Sequence, residues 1–274
     1  MKMKLEKGYL NRLLTHPLET SASMFQPILR GLRTLLSKKD EKHLETHNFI
    51  DESYVVVEPR EDDNKKQSAL WTNKFGDDYI RRNTITDTDL NIRIGMWQAI
   101  LSSYGFVGGD HLKSAIEIGC GQGINLMALR KIHDNLHKDI SLTGIETNHN
   151  ACQIAMDNDN KATVYNIDWL DCNMNFKADL VFTSGVLIHV HKDNLHKFME
   201  KMYKASRKYI VCIEYFSADR REIQYHGENN ALWTDDYGSL WLDKFPLHCV
   251  TWGFMWKRMT GLDNLTYWVF EKPQ

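Results

Sequence analysis

Cysteine is scarce in this sequence and is not arranged for cross-linking or for metal binding. The 274 residues hold five scattered cysteines, an odd number, and no Cys-x-x-Cys pair occurs. A disulfide framework needs paired cysteines, and a zinc module needs closely spaced ones. We therefore expect neither of these, and we expect a protein of the reducing cytoplasm.

Long apolar runs and a strong charge of either sign are also missing. No run comes near the roughly 18 apolar residues that span a bilayer, and no apolar stretch typical of a secretory signal follows the first lysines. The net charge is -2, whereas proteins that hold DNA or RNA usually carry a basic surplus. The sequence thus predicts no transmembrane segment and no nucleic-acid partner.

The first part of the chain differs in charge from the rest. Residues 1–48 contain nine Lys and Arg against five Asp and Glu. Apolar residues recur there at helical spacing, at Phe25, Ile28, Leu29, Leu32 and Leu36. We predict a helix that packs on the body of the protein or on a second subunit in a homo-oligomer; a helix on a membrane surface is the alternative. Residues 59–68 are almost wholly polar, so we predict a helical arm and linker over 1–67 and a separate domain over 68–274.

Short apolar runs alternate with amphipathic segments through this second domain. Strands are predicted at residues 114–118, 142–146, 162–167, 178–183, 209–214, 250–256 and 265–271. Helices are predicted at residues 89–104, 122–133, 148–158 and 192–206. Because the first five strands alternate with helices, they favour a parallel sheet covered on both faces. The predicted fold class is α/β: a Rossmann-like, mostly parallel seven-stranded sheet with helices on both faces, an antiparallel C-terminal edge hairpin and a helical N-terminal extension.

A glycine-rich loop joins the first strand to the next helix. It reads Glu117-Ile118-Gly119-Cys120-Gly121-Gln122-Gly123. A dinucleotide site uses Gly-x-Gly-x-x-Gly there and places a pyrophosphate on it. Here the third glycine comes one residue early, Ile124 takes the glycine's position, and Glu117 would repel a pyrophosphate. An acid suits a cationic amino group instead, as in S-adenosylmethionine (SAM), which carries an ammonium and a sulfonium and no phosphate. A loop that is only a tight turn is the alternative.

Two further acids follow the next two strands. Glu146 ends the second strand, where a carboxylate can accept hydrogen bonds from both hydroxyls of a ribose. Asp168 follows the third strand and could accept a hydrogen bond from an adenine amine, with Ile167 against the ring. As alternatives, Glu146 is a solvated strand end and Asp168 is a turn residue. Three acids at the carboxyl ends of three successive strands nevertheless favour one shared site.

In these features the sequence resembles the class I SAM-dependent methyltransferases over residues 68–274. The glycine loop, Glu146, Asp168 and the segment 179–189 come in that family's order. More narrowly, the chain is similar to methylases associated with pseudaminic acid biosynthesis. The segments that carry this similarity are 71–83, 144–148, 214–217, 232–237 and 263–272. The resemblance implies an enzyme that methylates, on O or N, a small polar molecule such as a sugar, a sugar nucleotide or a related intermediate of surface-glycan biosynthesis.

The resemblance also implies where SAM binds. Tyr79 and Arg82 should flank its methionine end, because a guanidinium can form two parallel hydrogen bonds with the α-carboxylate. The alternative is a surface ion pair of Arg82 with Asp77 or Asp78. The expected cofactor residues are Trp71, Tyr79, Arg82, Glu117, Gly119, Cys120, Gly121, Gly123, Asn125, Glu146, Thr147, Asn148, Asn166, Ile167, Asp168, Ser184 and Gly185.

Candidate catalytic residues follow the fourth and fifth strands: His189, Glu214 and Tyr215. Methyl transfer needs an acceptor held in line with the methyl group, and an alcohol acceptor also needs a general base. His189 is favoured as that base because an unperturbed imidazole titrates near neutral pH; a helix-cap or packing role is the alternative. His189 and His191 have a spacing that metal ligands can use, but no carboxylate cluster accompanies them and no metal is expected.

Residues 214–244 lie between the fifth strand and the last hairpin and are rich in Tyr, Trp, Arg and Asp. Aromatic rings beside fixed charges suit a sugar or another polyhydroxylated anion. The candidate residues on the acceptor side are Arg220, Arg221, Tyr225, His226, Trp233 and Asp236. An insertion whose aromatic residues belong to the core is the alternative.

Three other functions stay open from the sequence. A nicotinamide-dependent oxidoreductase would use a similar loop, but Glu117 and Ile124 count against it. A protein that binds SAM without catalysis would have the same cofactor residues. Methylation of a protein or nucleic acid is disfavoured by the net charge. It is also disfavoured by Thr183-Ser-Gly-Val, which stands where DNA amino-methyltransferases carry Asp/Asn-Pro-Pro-Tyr or -Phe.

Overall fold

The computed structural model describes residues 69–103 and 112–273, except for the side chain of Asn230. The predicted arm over 1–67, its helix and the oligomer that it would form lie outside the described residues and stay predictions. No helix in the described part of the chain is both long enough and apolar enough to cross a membrane.

The described chain alternates helices and strands, as predicted, after a helical turn at residues 69–72. The helices are α1 (Lys74–Arg82), α2 (Asp87–Ser103), α3 (Ile124–Asn135), α4 (His149–Asn158), α5 (Lys192–Ala205), α6 (Tyr237–Lys244) and α7 (Lys257–Thr260), with a 3-10 turn at Leu187–His189. The strands are β1 (Ser114–Ile118), β2 (Ser141–Glu146), β3 (Thr163–Asn166), β4 (Ala178–Ser184), β5 (Ser206–Glu214), β6 (Arg221–Tyr225), β7 (Glu228–Thr234), β8 (His248–Met255) and β9 (Leu265–Glu271).

Seven of these strands form one mixed sheet in the order β3-β2-β1-β4-β5-β9-β8. Strands β1 to β5 pair in parallel, whereas β9 runs antiparallel to β5 and β8 runs antiparallel to β9. The predicted Rossmann-like sheet with its antiparallel edge hairpin is therefore confirmed. Each strand and helix predicted between residues 89 and 271 is present, with its ends within three residues of the prediction.

Helices cover both faces of the sheet because successive residues of its central strands point to opposite faces. On β4, Val181 packs with the face that α5 covers, while Leu180 and Phe182 pack on the other face with α2 and α3. Both clusters are built from fully buried apolar side chains. The near-continuous apolar runs of the sequence thus follow from burial of the strands on two faces.

The sequence did not predict α1, α6, the short α7, the 3-10 turn or a two-stranded antiparallel sheet of β6 and β7. The β6–β7 hairpin turns at His226 and Gly227, whose φ angles are 50° and 86°. Two consecutive residues with positive φ are typical of a two-residue hairpin turn, for which Asn-Gly is the usual sequence. With His in place of Asn, and with charged residues along β6, the sequence shows little sign of this hairpin.

Close packing of α6 on the sheet depends on the absence of a side chain at Gly238. A Cβ at this position would lie 2.7 Å from Cδ1 of Trp268, a buried residue of β9. We expect Gly238→Ala to lower the free energy of unfolding by about 1–3 kcal/mol, since the rigid indole would have to move. Gly95→Ala is the matched control: a Cβ at Gly95 on α2 meets no atom within 4 Å, so this change should stabilise by about 0.5–1 kcal/mol. Urea unfolding of both variants measures these changes, and equal effects would contradict the packing described.

Candidate active site

A cavity of about 640 Å³ opens at the carboxyl ends of the parallel strands. The strand order reverses between β1 and β4, and open α/β sheets bind ligands at such a point. The cavity is lined by the glycine loop, the ends of β1, β2 and β4, the segment from Trp71 to Arg93, and residues around Asp263. All of the expected cofactor residues line it except Gly123 and Asn166.

The glycine loop adopts a conformation that other residues rarely reach. Gly119, Gly121 and Gly123 have φ angles of 70°, 53° and 81°, which favour glycine. A Cβ at Gly119 would lie 2.7 Å from Cγ2 of Val186, and one at Gly123 would lie 3.2 Å from Cβ of Ala155. The first and third glycines therefore let the loop pack against its neighbours. Gly123 caps α3 and does not line the cavity, so its contribution to the site is indirect.

Glu117 presents a buried acid to the cavity. Asn125 donates to its Oε1 at 2.6 Å, and Nε1 of Trp97 donates to Asn125 at 3.1 Å, which fixes the amide. The other oxygen, Oε2, is buried and has no hydrogen-bond partner among the described residues. Burial raises the pKa of Glu117 to about 8. A cation placed at Oε2 would restore the charged form of this carboxyl group.

Arg93 of α2 brings a half-buried cation to the same cavity, and it was not among the residues predicted for the site. Its guanidinium Nη1 lies 3.4 Å from Oγ of Ser184. Burial lowers the pKa of Arg93, while the charge of Glu117 raises it. The available signal was an Arg between two apolar residues, Ile92 and Ile94, on an otherwise amphipathic helix.

Arg82, the predicted partner of the α-carboxylate, is exposed at the rim of the cavity. The two acids that were its alternative partners bind elsewhere. Asp78 pairs with Arg81, and Asp77 accepts hydrogen bonds from the side-chain amides of Asn148 and Asn150 at 3.0 Å and 2.9 Å. The latter contacts fasten α1 to α4 beside the cavity.

Glu146 lies at the end of β2 and is largely removed from solvent. Its Oε2 accepts the N–H of Gly121 at 2.8 Å, and its Oε1 accepts the N–H of Asn148 at 2.8 Å. Burial raises the pKa of Glu146, and these hydrogen bonds oppose that rise. Because each oxygen has a second lone pair, the carboxylate is oriented and can still accept hydrogen bonds from a diol in the cavity.

The acid after β3 has a more mixed role. Oδ1 of Asp168 accepts the N–H of Leu170 at 2.8 Å, which forms a turn, and Asp168 also lines the cavity with Ile167. Asn166 does not line it: its side-chain amide donates to the carbonyls of Glu146 and Thr147, both at 3.0 Å. Asn166 therefore supports the end of β2, and the expectation that it touches a ligand finds no support in the cavity lining.

His189 lines the cavity at the end of the 3-10 turn after β4. Its Nδ1 lies 2.5 Å from the carbonyl oxygen of Ala231 on β7. A carbonyl oxygen can only accept, so Nδ1 carries the proton and Nε2 keeps its lone pair in the neutral ring. Burial lowers the pKa of His189 to about 4. The imidazole is therefore neutral at physiological pH with its lone pair on Nε2, and it is a weaker base than the unperturbed imidazole that the sequence analysis assumed.

Glu214 and Tyr215, predicted as catalytic candidates, do not line the cavity. Glu214 is fully buried, and its carboxylate accepts the backbone N–H groups of Val186, Leu187 and Ile188 at 3.0–3.4 Å. Burial raises its pKa to about 7. The Tyr215 hydroxyl donates to Asp263 at 2.9 Å. Both residues are thus structural supports, because a position after a strand does not determine where the side chain points.

Three of the six acceptor-side candidates have structural roles. Arg220 donates to Asp235 at 3.1 Å and to the carbonyl of Val190 at 3.0 Å. Trp233 is buried, as the alternative interpretation held, and Asp236 caps α6 by accepting the N–H of Ser239. Arg221 is exposed where β6 begins.

Two acceptor-side candidates, Tyr225 and His226, lie at the tip of the β6–β7 hairpin. The Tyr225 ring centroid is 5.7 Å from that of His189 and 4.5 Å from that of His226. This contact brings the hairpin to the edge of the cavity. Of the six predicted residues, Tyr225 is therefore the one that the structure places against a cavity-lining side chain.

His191 is buried, and its Nδ1 lies 3.4 Å from the N–H of Asp193 at the start of α5. Within residues 69–103 and 112–273, the structure contains no group of three or more His, Cys, Asp or Glu side chains suited to a metal ion. The pair of histidines gives no indication of a metal centre in that part of the chain.

The middle of the chain matches a known domain family. Residues 115–208 match the family model described as a methyltransferase domain. This segment runs from β1 into β5 and includes the glycine loop, Glu146, Asp168 and His189. A search of curated proteins gave no match.

Solved structures share the fold at low sequence identity. The 1,6-didemethyltoxoflavin-N1-methyltransferase of Burkholderia thailandensis, solved with 1,6-didemethyltoxoflavin and S-adenosylhomocysteine, gives a TM-score of 0.59 at 14% identity, over 81% of this chain and 95% of that one. The magnesium protoporphyrin IX methyltransferase of Synechocystis PCC 6803, solved with bound SAM, gives a TM-score of 0.53 at 14% identity, over 79% of this chain and 100% of that one. An N-methyltransferase of Bradyrhizobium japonicum WM9, in complex with S-adenosylhomocysteine, gives a TM-score of 0.53 at 14% identity, over 77% of this chain and 98% of that one.

At such identities, a structural similarity shows a shared fold. Neither the family model nor these structures bear on the narrower resemblance to methylases of pseudaminic acid biosynthesis. The domain match from β1 to β5 and the shared fold do support the broader assignment. Residues 115–208 of this chain thus match a methyltransferase-domain model, and the chain shares the fold of solved methyltransferase structures.

Proposed function

We propose that this protein binds SAM in the cavity and transfers its methyl group to a small polar molecule. The observation that carries the proposal is the buried Glu117 carboxyl, which shares the cavity with the Arg93 guanidinium. The ammonium and the carboxylate of an amino acid would pair with these two groups. A buried acid with one oxygen left without a partner is costly in the absence of a ligand, and a cationic ligand would remove that cost.

The proposed cofactor contacts divide between two ends of the molecule. Glu117 and Arg93 would hold the methionine end, so Arg93 replaces the exposed Arg82 as the partner of the α-carboxylate. The preoriented Glu146 would accept hydrogen bonds from the ribose hydroxyls, and Ile167 and Asp168 would contact the adenine. The left-handed Gly119 and Gly121 bring the backbone close to the ligand between these two ends.

When bound, SAM supplies a methyl group on a sulfonium, which is already a good leaving group. His189 is proposed to accept the proton that an acceptor hydroxyl gives up as its oxygen forms the new bond to the methyl carbon. The lone pair on Nε2, the fixed tautomer and the neutral state suit this role, whereas the pKa of about 4 makes this imidazole a weaker base than an ordinary histidine. Its proposed contribution therefore comes from its position beside the acceptor. Glu214 positions the segment that carries His189 by binding three of its backbone N–H groups.

For the acceptor, we propose a sugar, a sugar nucleotide or a related intermediate of surface-glycan biosynthesis, methylated in the cytoplasm. This proposal rests on the sequence resemblance and on the reduced cysteines. The names of two structural neighbours give small-molecule substrates, a didemethyltoxoflavin and magnesium protoporphyrin IX. The direction of transfer is proposed to be to oxygen, because a general base beside the cavity is needed for an alcohol and not for a neutral amine.

The proposed activity is tested by transfer of a labelled methyl group from SAM into an extract of the source cells. The extract is divided into a small-molecule fraction and a macromolecular fraction. Label in a polar small molecule supports the proposal and identifies the acceptor. Label confined to protein or nucleic acid would contradict the proposed substrate class, and SAM binding without any transfer would favour a protein that binds the cofactor without catalysis.

Replacing Glu146 tests the ribose assignment. We expect Glu146→Ala to weaken SAM binding at least about tenfold, because hydrogen bonds to a charged group contribute about 1.5–3 kcal/mol. Calorimetric titration measures the dissociation constant. Glu200→Ala is the control, since Glu200 is a surface acid of α5 paired with Lys204; it should bind SAM like the wild type. Equal affinities of all three proteins would rule out the ribose contact.

Replacing His189 tests the general base. With the acceptor from the labelled extract, His189→Gln should lower turnover by about 10²–10⁴-fold, while SAM affinity stays within about twofold. His248→Gln, at an exposed position on β8, is the control and should leave turnover unchanged. A wild-type rate for His189→Gln would show that His189 is only structural.

The pH profile provides a separate test of the same base. The rate requires the neutral imidazole, whose pKa burial lowers to about 4. At saturating SAM, we expect the turnover rate to stay flat as the pH falls through about 6.5, where an ordinary histidine titrates, and to decline only as the pH approaches about 4. A half-maximal rate near pH 6.5 would contradict the buried, neutral state of His189.

A further inference from the structure

The indole ring of Trp71 carries a polar group that the cofactor contacts leave unused. Trp71 lies in the helical turn before α1 and lines the cavity. Its Nε1 atom is buried and finds no hydrogen-bond partner in the described part of the chain. A buried N–H without a partner costs about 1–3 kcal/mol, so its presence at a cavity wall calls for a functional explanation.

The backbone of Trp71 is held firmly in this place. Its carbonyl oxygen accepts a hydrogen bond from the side chain of Asn148 at 3.0 Å. Gly76 of α1 packs against the same carbonyl, and a Cβ there would also lie 2.9 Å from the Asn148 amide. Since these contacts fix the residue, only a small rotation of the side chain is available to bring its N–H to a ligand.

The indole belongs to a set of rings around the candidate base. Its centroid lies 4.3 Å from that of His189 and 5.3 Å from that of Phe75. Tyr225 closes the set, 5.7 Å from His189 and 6.1 Å from Phe75. We call Trp71, Phe75, His189 and Tyr225 the aromatic box. Its members come from α1 and its preceding turn, the 3-10 turn after β4 and the β6–β7 hairpin, and none comes from the glycine loop or from the strand ends that carry Glu146 and Asp168.

Because the Trp71 ring contacts the His189 ring directly, a group hydrogen-bonded by Trp71 would lie close to the proton that His189 is proposed to remove. Aromatic side chains with a polar edge bind ring-shaped ligands through their faces and orient them through the N–H or O–H group. The acceptor, and not the cofactor, is the ligand expected at the base. Because Trp71 contacts the candidate base and the acceptor is expected at that base, we assign the unused N–H to the acceptor side of the cavity.

We propose that the indole N–H of Trp71 donates a hydrogen bond to an oxygen of the acceptor adjacent to its reacting group, and that the acceptor's ring lies in the cavity against Trp71 and His189, the two members of the aromatic box that line it. The ligand class is therefore a ring that bears two neighbouring polar substituents. This inference rests on the proposed function. It gives Trp71 the role of a positioning residue for the acceptor, instead of the cofactor contact that the sequence resemblance implied.

The test is Trp71→Phe, which removes the N–H and keeps an aromatic ring. The probes are labelled SAM and the small-molecule fraction of the extract, added at increasing concentration. We expect the amount of this fraction that gives half-maximal rate to rise about tenfold, as for the loss of one hydrogen bond. The maximal rate and the calorimetric SAM affinity should change by less than about twofold. Trp252→Phe, at an exposed position on the edge strand β8, is the matched control and should match the wild type in all three quantities.

A second variant separates the N–H from the shape of the ring. The histidine of Trp71→His is smaller than tryptophan and keeps a ring N–H. The amount of the small-molecule fraction that gives half-maximal rate should therefore lie between the wild-type value and that of Trp71→Phe. If Trp71→Phe weakens SAM binding and leaves the half-maximal amount of the small-molecule fraction unchanged, Trp71 contacts the cofactor and the inference is overturned. Unchanged values for both ligands would overturn it as well. If the wild type itself transfers no label, the proposed function fails and the inference fails with it, which is distinct from a failure confined to Trp71.

Discussion

Burial of the Glu117 carboxyl group at the end of β1 is the constraint on which the rest of the site depends. The sheet is covered on both faces, so the end of β1 is removed from water, and the pKa of Glu117 rises to about 8. Trp97 and Asn125 fix one carboxylate oxygen and leave the other without a partner among the described residues. The free energy that this arrangement costs is recovered only when a cation arrives. With Arg93 beside it, the same cavity suits a ligand that carries both charges.

The sites proposed for the two ligands lie on different parts of the fold. The proposed cofactor groups stand at the ends of β1, β2 and β3, which are paired in the sheet, and on α2, which carries Arg93. Candidate acceptor groups come from additions to the sheet, namely α1 with its preceding turn and the β6–β7 hairpin, which meet at His189. Glu214 joins the two parts, since this buried acid binds the backbone just before His189. Its role is to keep the candidate base in place without touching a ligand.

The sheet could be predicted from the sequence because strands buried on both faces leave apolar runs of four to six residues, and the glycine loop and Glu146 follow directly from the strand ends. Helix α1 and the β6–β7 hairpin could not be predicted from the sequence, because contacts between residues distant in sequence hold them. Examples are the hydrogen bonds of Asp77 with Asn148 and Asn150. Arg93 was missed because a helical pattern shows which face is apolar and not which polar side chain reaches a cavity. That Glu214 does not line the cavity could not be predicted either, because a strand-end position does not give the direction of the side chain.

The most direct test of the central claim is the number of protons released when SAM binds at neutral pH. Titration calorimetry in buffers of different ionisation enthalpy measures this number for the wild type and for Glu117→Gln. With a pKa of about 8, Glu117 is mostly protonated in the free protein and should ionise when the ammonium group binds. The account predicts that the wild type releases about one proton more than Glu117→Gln. Equal proton release by the two proteins would contradict the assignment of Glu117 to the amino group of the cofactor.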